Sequence, residues 1–461
     1  MIPFARAGRV QSTDTIVALS TPPGRSGIGV IRLSGPRSLE ITRALVSDNQ
    51  FRPEPNHARL HTVYDLESKD ALDRALITYF KAPHSFTGED VVELSCHGSP
   101  VLLRRLVDLI LTLDARLAGP GEFTLRALSN GRINLSQAEA VRDLINAQTD
   151  SAIKQAARQL RGELSSYLQP IKDALLDVIV PLESSLEFVE DDLPDMAVSR
   201  IKANLSELIE KIDRLATTYR SGHLLKDGLK VTLAGRPNVG KSSVFNNLLS
   251  SERAIVTDVP GTTRDSLSEV ISIEGVPVLL IDTAGMRATE DKIENLGVER
   301  TRRAIADADL ILVVLDGSQP LTAEDKEVLA EVGHLRHLVA LNKSDLESFR
   351  VNGLLIDAPV IPVSAKTGAG LDLLRAAILK PFADGGSEYS GLLITDARHY
   401  DLLRRTQNAL ETSAHLLEQH VSEELVLTGL YDALRFLGQI TGETTTEDVL
   451  SQIFATFCIG K

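Results

Sequence analysis

Gly235-Arg236-Pro237-Asn238-Val239-Gly240-Lys241-Ser242 lies near the middle of the chain and sets the architecture around it. It fits the G-x-x-x-x-G-K-[ST] phosphate loop and has the context that loop needs, because the apolar run 231–234 reads as a strand before it and 243–249 as a helix after it. In that setting, consecutive backbone N–H groups and a helix N-terminus converge on phosphate oxygens. Lys241 would neutralise charge on the β- and γ-phosphates, and Ser242 would ligate magnesium.

Outward from this loop, apolar runs at 278–281, 310–315, 338–341 and 360–363 alternate with helical stretches, the signature of βαβ units and a parallel sheet. Asp282-Thr283-Ala284-Gly285 ends one strand, placing a carboxylate for the magnesium shell and a glycine N–H for the γ-phosphate. Asn342-Lys343-Ser344-Asp345 follows another. Its Asp can accept from both the exocyclic amine and the ring N–H of guanine, an edge adenine lacks. Ser364-Ala365-Lys366, after a fifth strand, can close over the base. Alone, N-K-x-D is a weak signal, but four motifs in this order at strand ends are a strong one. With Ser243, they make up the expected GTP contacts together with Thr257, Asp258, Val259, Pro260, Gly261, Thr262 and Thr263, a turn rich in oxygen ligands. Thr263 suits the second protein ligand to magnesium. The ordered set resembles the Ras-like GTPase domains of the Era and TrmE group. Met286 stands where Ras-like switches carry a water-orienting glutamine, so another group must orient water. No internal arginine finger is evident; Arg287 is a candidate, but it reads first as a solvated loop charge.

The flanks read differently. Short β-type runs at 15–20, 28–33, 60–64, 72–80 and 91–95, with helices after Pro36 and at 100–113, make an α+β domain. From 125 to 223 the apolar spacing turns helical, as in Leu160, Leu164, Leu168, Ile171, Leu175 and Ile179, and helical spacing resumes at 396–457. The expected domains are 1–124, 125–226, an inserted α/β block at 227–381, and 382–461 as the second helical part. At about 150 residues per domain, 461 residues suit roughly three domains. Hydrophobic residues at 43% and charged residues at 24% exclude wholesale disorder. Two cysteines, Cys96 and Cys458, cannot staple a disulfide scaffold and suit a reducing, cytoplasmic compartment. No apolar run approaches the ~18 residues of a membrane span. A net charge of −14 repels phosphate backbones, so any nucleic-acid contact needs a local patch or a basic partner.

The chain ends Phe457-Cys458-Ile459-Gly460-Lys461. This ending, joined to an inserted GTPase domain, resembles the MnmE (TrmE) family of tRNA-modification GTPases. Further matching segments are Asp14-Thr15-Ile16-Val17-Ala18, Thr21-Pro22-Pro23-Gly24-Arg25, Ser85-Phe86-Thr87-Gly88-Glu89-Asp90, Pro120-Gly121-Glu122-Phe123-Thr124 and Asn134-Leu135-Ser136-Gln137-Ala138-Glu139-Ala140. The leader 1–13 is longer than the family leads one to expect, and no role is assigned to it. The resemblance implies a multidomain α+β and α/β protein: an N-terminal folate-binding domain that dimerises, a helical domain, and an inserted Ras-like P-loop GTPase domain with a mainly parallel sheet. It implies a homodimer that works with the FAD-binding subunit MnmG on carbon 5 of the wobble uridine of certain tRNAs, adding an aminomethyl or carboxymethylaminomethyl group. Arg32, Glu93, Arg132 and Lys461 would contact 5-formyltetrahydrofolate or a related tetrahydrofolate. Asn238, Thr257, Val259 and Thr262 would hold a potassium ion that stimulates hydrolysis, and Glu294 would organise water.

Other features carry less. Gly24-Arg25-Ser26-Gly27-Ile28-Gly29 is not G-x-G-x-x-G, and a strand follows it, which argues against a dinucleotide site. Cys96 and His97 are neighbours on a strand, so their side chains point to opposite faces. His334 and His337, at helical spacing, lack a third metal ligand. Cys458, fourth from the end, superficially suggests prenylation, but Gly460 and the terminal lysine fit that pattern poorly. The rival class is an Era-type ribosome-assembly or regulatory GTPase. Such proteins usually append a basic RNA-binding domain, whereas here the flanks are helical and the chain acidic.

Overall fold

Period-two alternation builds the N-terminal sheet, putting one set of side chains into a core and the other on the opposite face. The computed structural model describes residues 14–187, 195–251, 267–282, 305–351, 356–382, 391–419, 422–443, 450 and 453–460. They fall into two units: Met1–Arg142 with Leu160–Leu168 and Leu434–Lys461, and Asp143–Gln159 with Gln169–Ala433.

In the first unit the chain runs β1 (Thr15–Leu19), β2 (Ser26–Ser34), α1 (Ser38–Leu45), β3 (Ala58–Tyr64), β4 (Ala71–Phe80), β5 (Val91–Gly98), α2 (Pro100–Leu111), β6 (Ala115–Leu117), α3 (Glu122–Ser129) and into α4 (Leu135–Asn146). The sheet order is β3-β4-β5-β2-β1-β6, antiparallel except for β1 beside β6. Ile31, Leu33, Ile77, Val92 and Leu94 bury against Ile41 and Leu45 of α1 and Leu103, Leu106 and Ile110 of α2. Helix and sheet approach so closely at Gly29 that a Cβ there would lie 2.3 Å from Leu103 Cδ1. Pro100 opens α2 at a position where its missing N–H costs nothing. The chain's end is fastened into this unit. Ile459 bridges Pro120 in antiparallel register, Gly121 N–H donates to the Cys458 carbonyl across 3.3 Å, and Phe454 and Phe457 pack with Leu135 and Ala138.

The chain continues through α5 (Asp150–Leu160), α6 (Glu163–Glu187), α7 (Asp195–Thr217) and α8 (Tyr219–Asp227). The apolar series from Leu160 to Ile179 is not one helix, because Gly162 at φ 82° separates α5 from α6. Then come β7 (Leu229–Ala234), α9 (Lys241–Ser251), β8 (Leu267–Ile273), β9 (Val276–Asp282), β10 (Leu310–Asp316), α10 (Ala323–Val332), β11 (His337–Asn342), β12 (Val360–Pro362), α11 (Leu371–Leu379), α12 (Ala397–Glu418) and α13 (Glu423–Thr441). The second sheet has the order β12-β11-β10-β7-β9-β8 and is parallel apart from β8. Every residue of β10 is buried, as a strand covered on both faces requires. Leu312, Val314 and Leu233 face one core, and Ile311, Val313 and Leu315 the other. His337 opens β11, so it does not share a helix with His334.

The segments on either side of this α/β block are tied together within the second unit. The Ile394 N–H donates to the Thr218 hydroxyl across 3.0 Å, and the Lys226 ammonium sits 3.1 Å from Asp396 and 2.9 Å from Asp143.

Candidate functional site

The C-terminal ends of β7, β9 and β11 bring most of the described motif residues to one edge of the second sheet. The loop after β7 has three residues with positive φ: Gly235 at 144°, Asn238 at 65° and Gly240 at 97°. A Cβ on Gly235 would sit 2.5 Å from the Val314 carbonyl, and one on Gly240 2.3 Å from Asn342 Nδ2, so both positions need glycine. Lys241 donates its ammonium to the carbonyls of Gly235 and Arg236 at 2.8 and 2.9 Å, curling the loop over itself. Ser242 and Ser243 open α9 and are exposed, while Val239 is buried beneath them. The Ser242 hydroxyl donates to Asp282 Oδ2 across 3.0 Å, and Asp282 is fully buried at the end of β9. A hydroxyl and a carboxylate in mutual reach are oxygen donors of the kind a hard divalent cation takes.

Asn342 ends β11 with only 3% exposure. Its amide donates to the Val239 carbonyl at 2.9 Å, and its side-chain oxygen accepts from the Ala365 N–H at 3.0 Å. One side chain thus joins three motifs. Ser344 N–H donates to the Val363 carbonyl at 3.0 Å, and Asn247 of α9 donates to the Ala365 carbonyl at 2.6 Å. Asp345 is exposed and accepts from the buried Ser364 hydroxyl at 2.7 Å. That hydrogen bond holds the Asp345 carboxyl below its ordinary range. Lys366 is exposed beside it, and Lys343 pairs with Asp316 at 2.6 Å. Burial works against the charge on Asp316, yet Lys343 and Ser318 hold its carboxyl down at about 2. Thr257, Asp258, Val259, Pro260, Gly261, Thr262, Thr263, Thr283, Ala284, Gly285 and Glu294 lie outside the described residues, as do Met286, Arg287 and Lys461.

A second cluster lies in the first unit. Arg32 on β2 stands directly opposite Glu93 on β5. Its Nε and Nη2 both reach Glu93 Oε1, at 2.8 and 2.7 Å, leaving Oε2 able to accept. Arg32 Nη1 also donates to the Gly460 carbonyl at 3.3 Å, which the Ser20 hydroxyl meets at 3.2 Å. Its guanidinium lies 5.7 Å from the centre of the Phe123 ring. Gly460 turns at φ 99°, with room for no Cβ against the Leu19 carbonyl at 2.7 Å. Arg132 is exposed beside Gly88, and no hydrogen bond among the described residues joins it to Arg32 or Glu93.

Several polar groups at these sites carried no motif. Asp316 is one. Arg236 is another: its Nε meets both oxygens of Asp325 at 3.1 and 3.2 Å, linking the phosphate loop to the capping box of α10. The signal for Asp316 was a carboxylate ending an otherwise apolar strand. Cys96 is buried and His97 exposed, on opposite faces as the strand pattern requires. Burial, with Asp73 nearby, pushes the Cys96 thiol up to about 12, far from a thiolate nucleophile.

A phosphate loop feeding a helix, with a buried carboxylate and an N-K-x-D segment at neighbouring strand ends, defines a P-loop GTPase. The family described as "MnmE helical domain" matches residues 135–458, and "GTP-binding protein TrmE N-terminus" matches 15–132. The tRNA modification GTPase MnmE of Koribacter versatilis is 45% identical over 453 residues, covering 97% of this chain and 99% of that protein. Its counterpart in Aquifex aeolicus is 43% identical over 450 residues, covering 97% and 100%. The chain belongs to the MnmE family of tRNA modification GTPases and is a GTP hydrolase. Among solved structures, the G domain of the T. maritima FeoB iron transporter is 28% identical, covering 34% of this chain and 99% of that one at a TM-score of 0.27. Among the described residues, no helix is long and apolar enough to cross a membrane.

Proposed function

We propose that the chain hydrolyses GTP to drive the addition, with the FAD-binding subunit MnmG, of an aminomethyl or carboxymethylaminomethyl group to carbon 5 of the wobble uridine of certain tRNAs. The observation that carries this reading is the convergence of Arg32, Glu93 and the Gly460 carbonyl, which gives the folate-like region a polar cluster far in sequence from the phosphate loop. Glu93 Oε2 can accept from the amino and ring N–H groups of a pterin, while Arg32, Arg132 and Lys461 meet carboxylates. A tetrahydrofolate bound there would supply the one-carbon unit. Residues 1–124 form the folate-binding and dimerisation domain in this reading, 125–226 and 382–461 the helical domain, and 227–381 the GTPase domain, in a cytoplasmic homodimer.

For hydrolysis, Ser242 and Thr263 hold magnesium, with Asp282 bonded to Ser242 supporting the shell. Asn238, at φ 65° on the exposed crest of its loop, joins Thr257, Val259 and Thr262 as oxygen donors for potassium. Those oxygens would hold a monovalent cation, which would supply the positive charge beside the phosphates that an arginine finger otherwise gives. Glu294 orients water in place of the glutamine that Met286 replaces. The Era-type alternative is disfavoured because the relatives match along 97% of the chain. The test is reconstitution with unmodified tRNA, MnmG, a tetrahydrofolate, GTP and potassium: modified wobble uridine should form with the complete mixture. Formation that persists without this chain or without GTP would refute the reading.

A further inference from the structure

β10 is apolar from Leu310 to Leu315 and then ends in a carboxylate, Asp316, which is 5% exposed. A charge at that depth stands only where it is paired and hydrogen-bonded. Asp316 Oδ1 accepts from the Ser318 N–H at 3.0 Å and the Ser318 hydroxyl at 2.6 Å. Its Oδ2 accepts from Gln319 Nε2 at 2.7 Å and from Lys343 Nζ at 2.6 Å. Three of these donors belong to its own turn, and Lys343 alone comes from the loop after β11. Register places Asp316 opposite Asn342, and the Gly317 N–H donates to the Asn342 carbonyl at 2.9 Å. Lys343 stands at φ 69°, a backbone region that a long side chain keeps only where its surroundings over-determine it. At this turn the chain passes from Asn342, bonded to the phosphate loop, towards Asp345, bonded to Ser364.

We propose that Asp316 is a positioning residue for nucleotide recognition: by holding the Lys343 ammonium it fixes the 342–345 turn, so that Asn342 and Asp345 keep their places together. The inference rests on reading Asn342 to Asp345 as the guanine-binding segment. Asp316 acts through Lys343 and need not touch the nucleotide. A lysine released from its partner regains rotamer freedom, and the nucleotide must then order it on binding. Removing Asp316 therefore weakens GTP and GDP alike, since both present the same base, and leaves turnover at saturating GTP in place.

The test is a double-mutant cycle in the full-length chain, with GDP and magnesium as the titrated ligand. Asp316→Asn and Lys343→Met are each expected to weaken GDP about tenfold, and the double variant no more than Lys343→Met alone. For Asp316→Asn, KM for GTP should rise with kcat within about twofold of the parent. Ser318→Ala, which removes a hydroxyl from the Asp316 turn but spares the ion pair, should lower thermal stability without moving GDP affinity. Additive losses in the double variant, or an equal affinity loss from Ser318→Ala, would overturn the inference. Should Asp316→Asn fail to fold, Lys343→Met at its half-buried site decides alone, because unchanged GDP affinity there contradicts it. Asp345→Asn separates the two levels. If it shifts nucleotide preference while Lys343→Met has no effect, only the role of Asp316 falls; if Asp345→Asn shifts nothing, the guanine-binding reading falls with it.

Discussion

Asn342 donates its side-chain amide to the Val239 carbonyl across 2.9 Å, and through this bond the segment after β11 and the phosphate loop become one piece. The same side chain accepts from Ala365, so its loss leaves a carbonyl and an N–H unpaired in a buried place. Asn342→Ala should lower folding stability by about 1–3 kcal/mol and weaken GTP and GDP together. Urea denaturation and nucleotide titration of the same sample check this, and unchanged affinity would remove Asn342 from the site.

Asp345→Asn should weaken GTP and favour xanthosine triphosphate, because the new amide can donate to the carbonyl that replaces the guanine amine. Competition between the two nucleotides reads it directly.

The Ser364 hydroxyl gives that carboxylate a pH signature. Asp345 is held below its ordinary value, so its charged form is present above the ordinary carboxylate range and is lost only as pH falls through the lowered value. Ser364→Ala should raise the carboxyl toward that range, and GDP affinity should then begin to fall at a higher pH than in the parent. Coincident pH profiles would contradict the hydrogen bond's role.

Potassium should stimulate hydrolysis far more than sodium at fixed magnesium, given Met286 in place of glutamine and the oxygen-rich 257–262 loop. Equal turnover in the two salts would count against the proposed ion site.

Removing Ile459 to Lys461 deletes the Gly460 carbonyl that Arg32 and Ser20 grip, without opening a core. Affinity for 5-formyltetrahydrofolate should drop while potassium-stimulated GTP turnover persists. Calorimetric titration and turnover on one truncated sample separate this from misfolding, which would take both activities.

Much of the GTPase sheet was legible because buried parallel strands read as unbroken apolar runs, as in residues 310–315 of β10. β8 escaped because Leu267–Ile273 mixes Ser and Glu with apolar residues, as an antiparallel strand at the sheet's edge does. β6 escaped because Ala115–Leu117 is too short to show any period. The boundary between α5 and α6 escaped because apolar spacing continues across Gly162, whose positive φ separates the helices without disturbing the pattern. The motifs announced the phosphate loop and the N-K-x-D segment, but not the bonds between them. Asp316 with Lys343 and Arg236 with Asp325 are pairs made by strand register and loop packing, which no local spacing encodes.

The most direct measurement is mass spectrometry of wobble nucleosides in tRNA from a strain lacking this chain, with and without the restored gene. The 5-aminomethyl and 5-carboxymethylaminomethyl uridine derivatives should disappear on deletion, return with the parent gene, and not return with the Asp345→Asn variant. Unchanged wobble nucleosides in the deletion strain would contradict the proposed function.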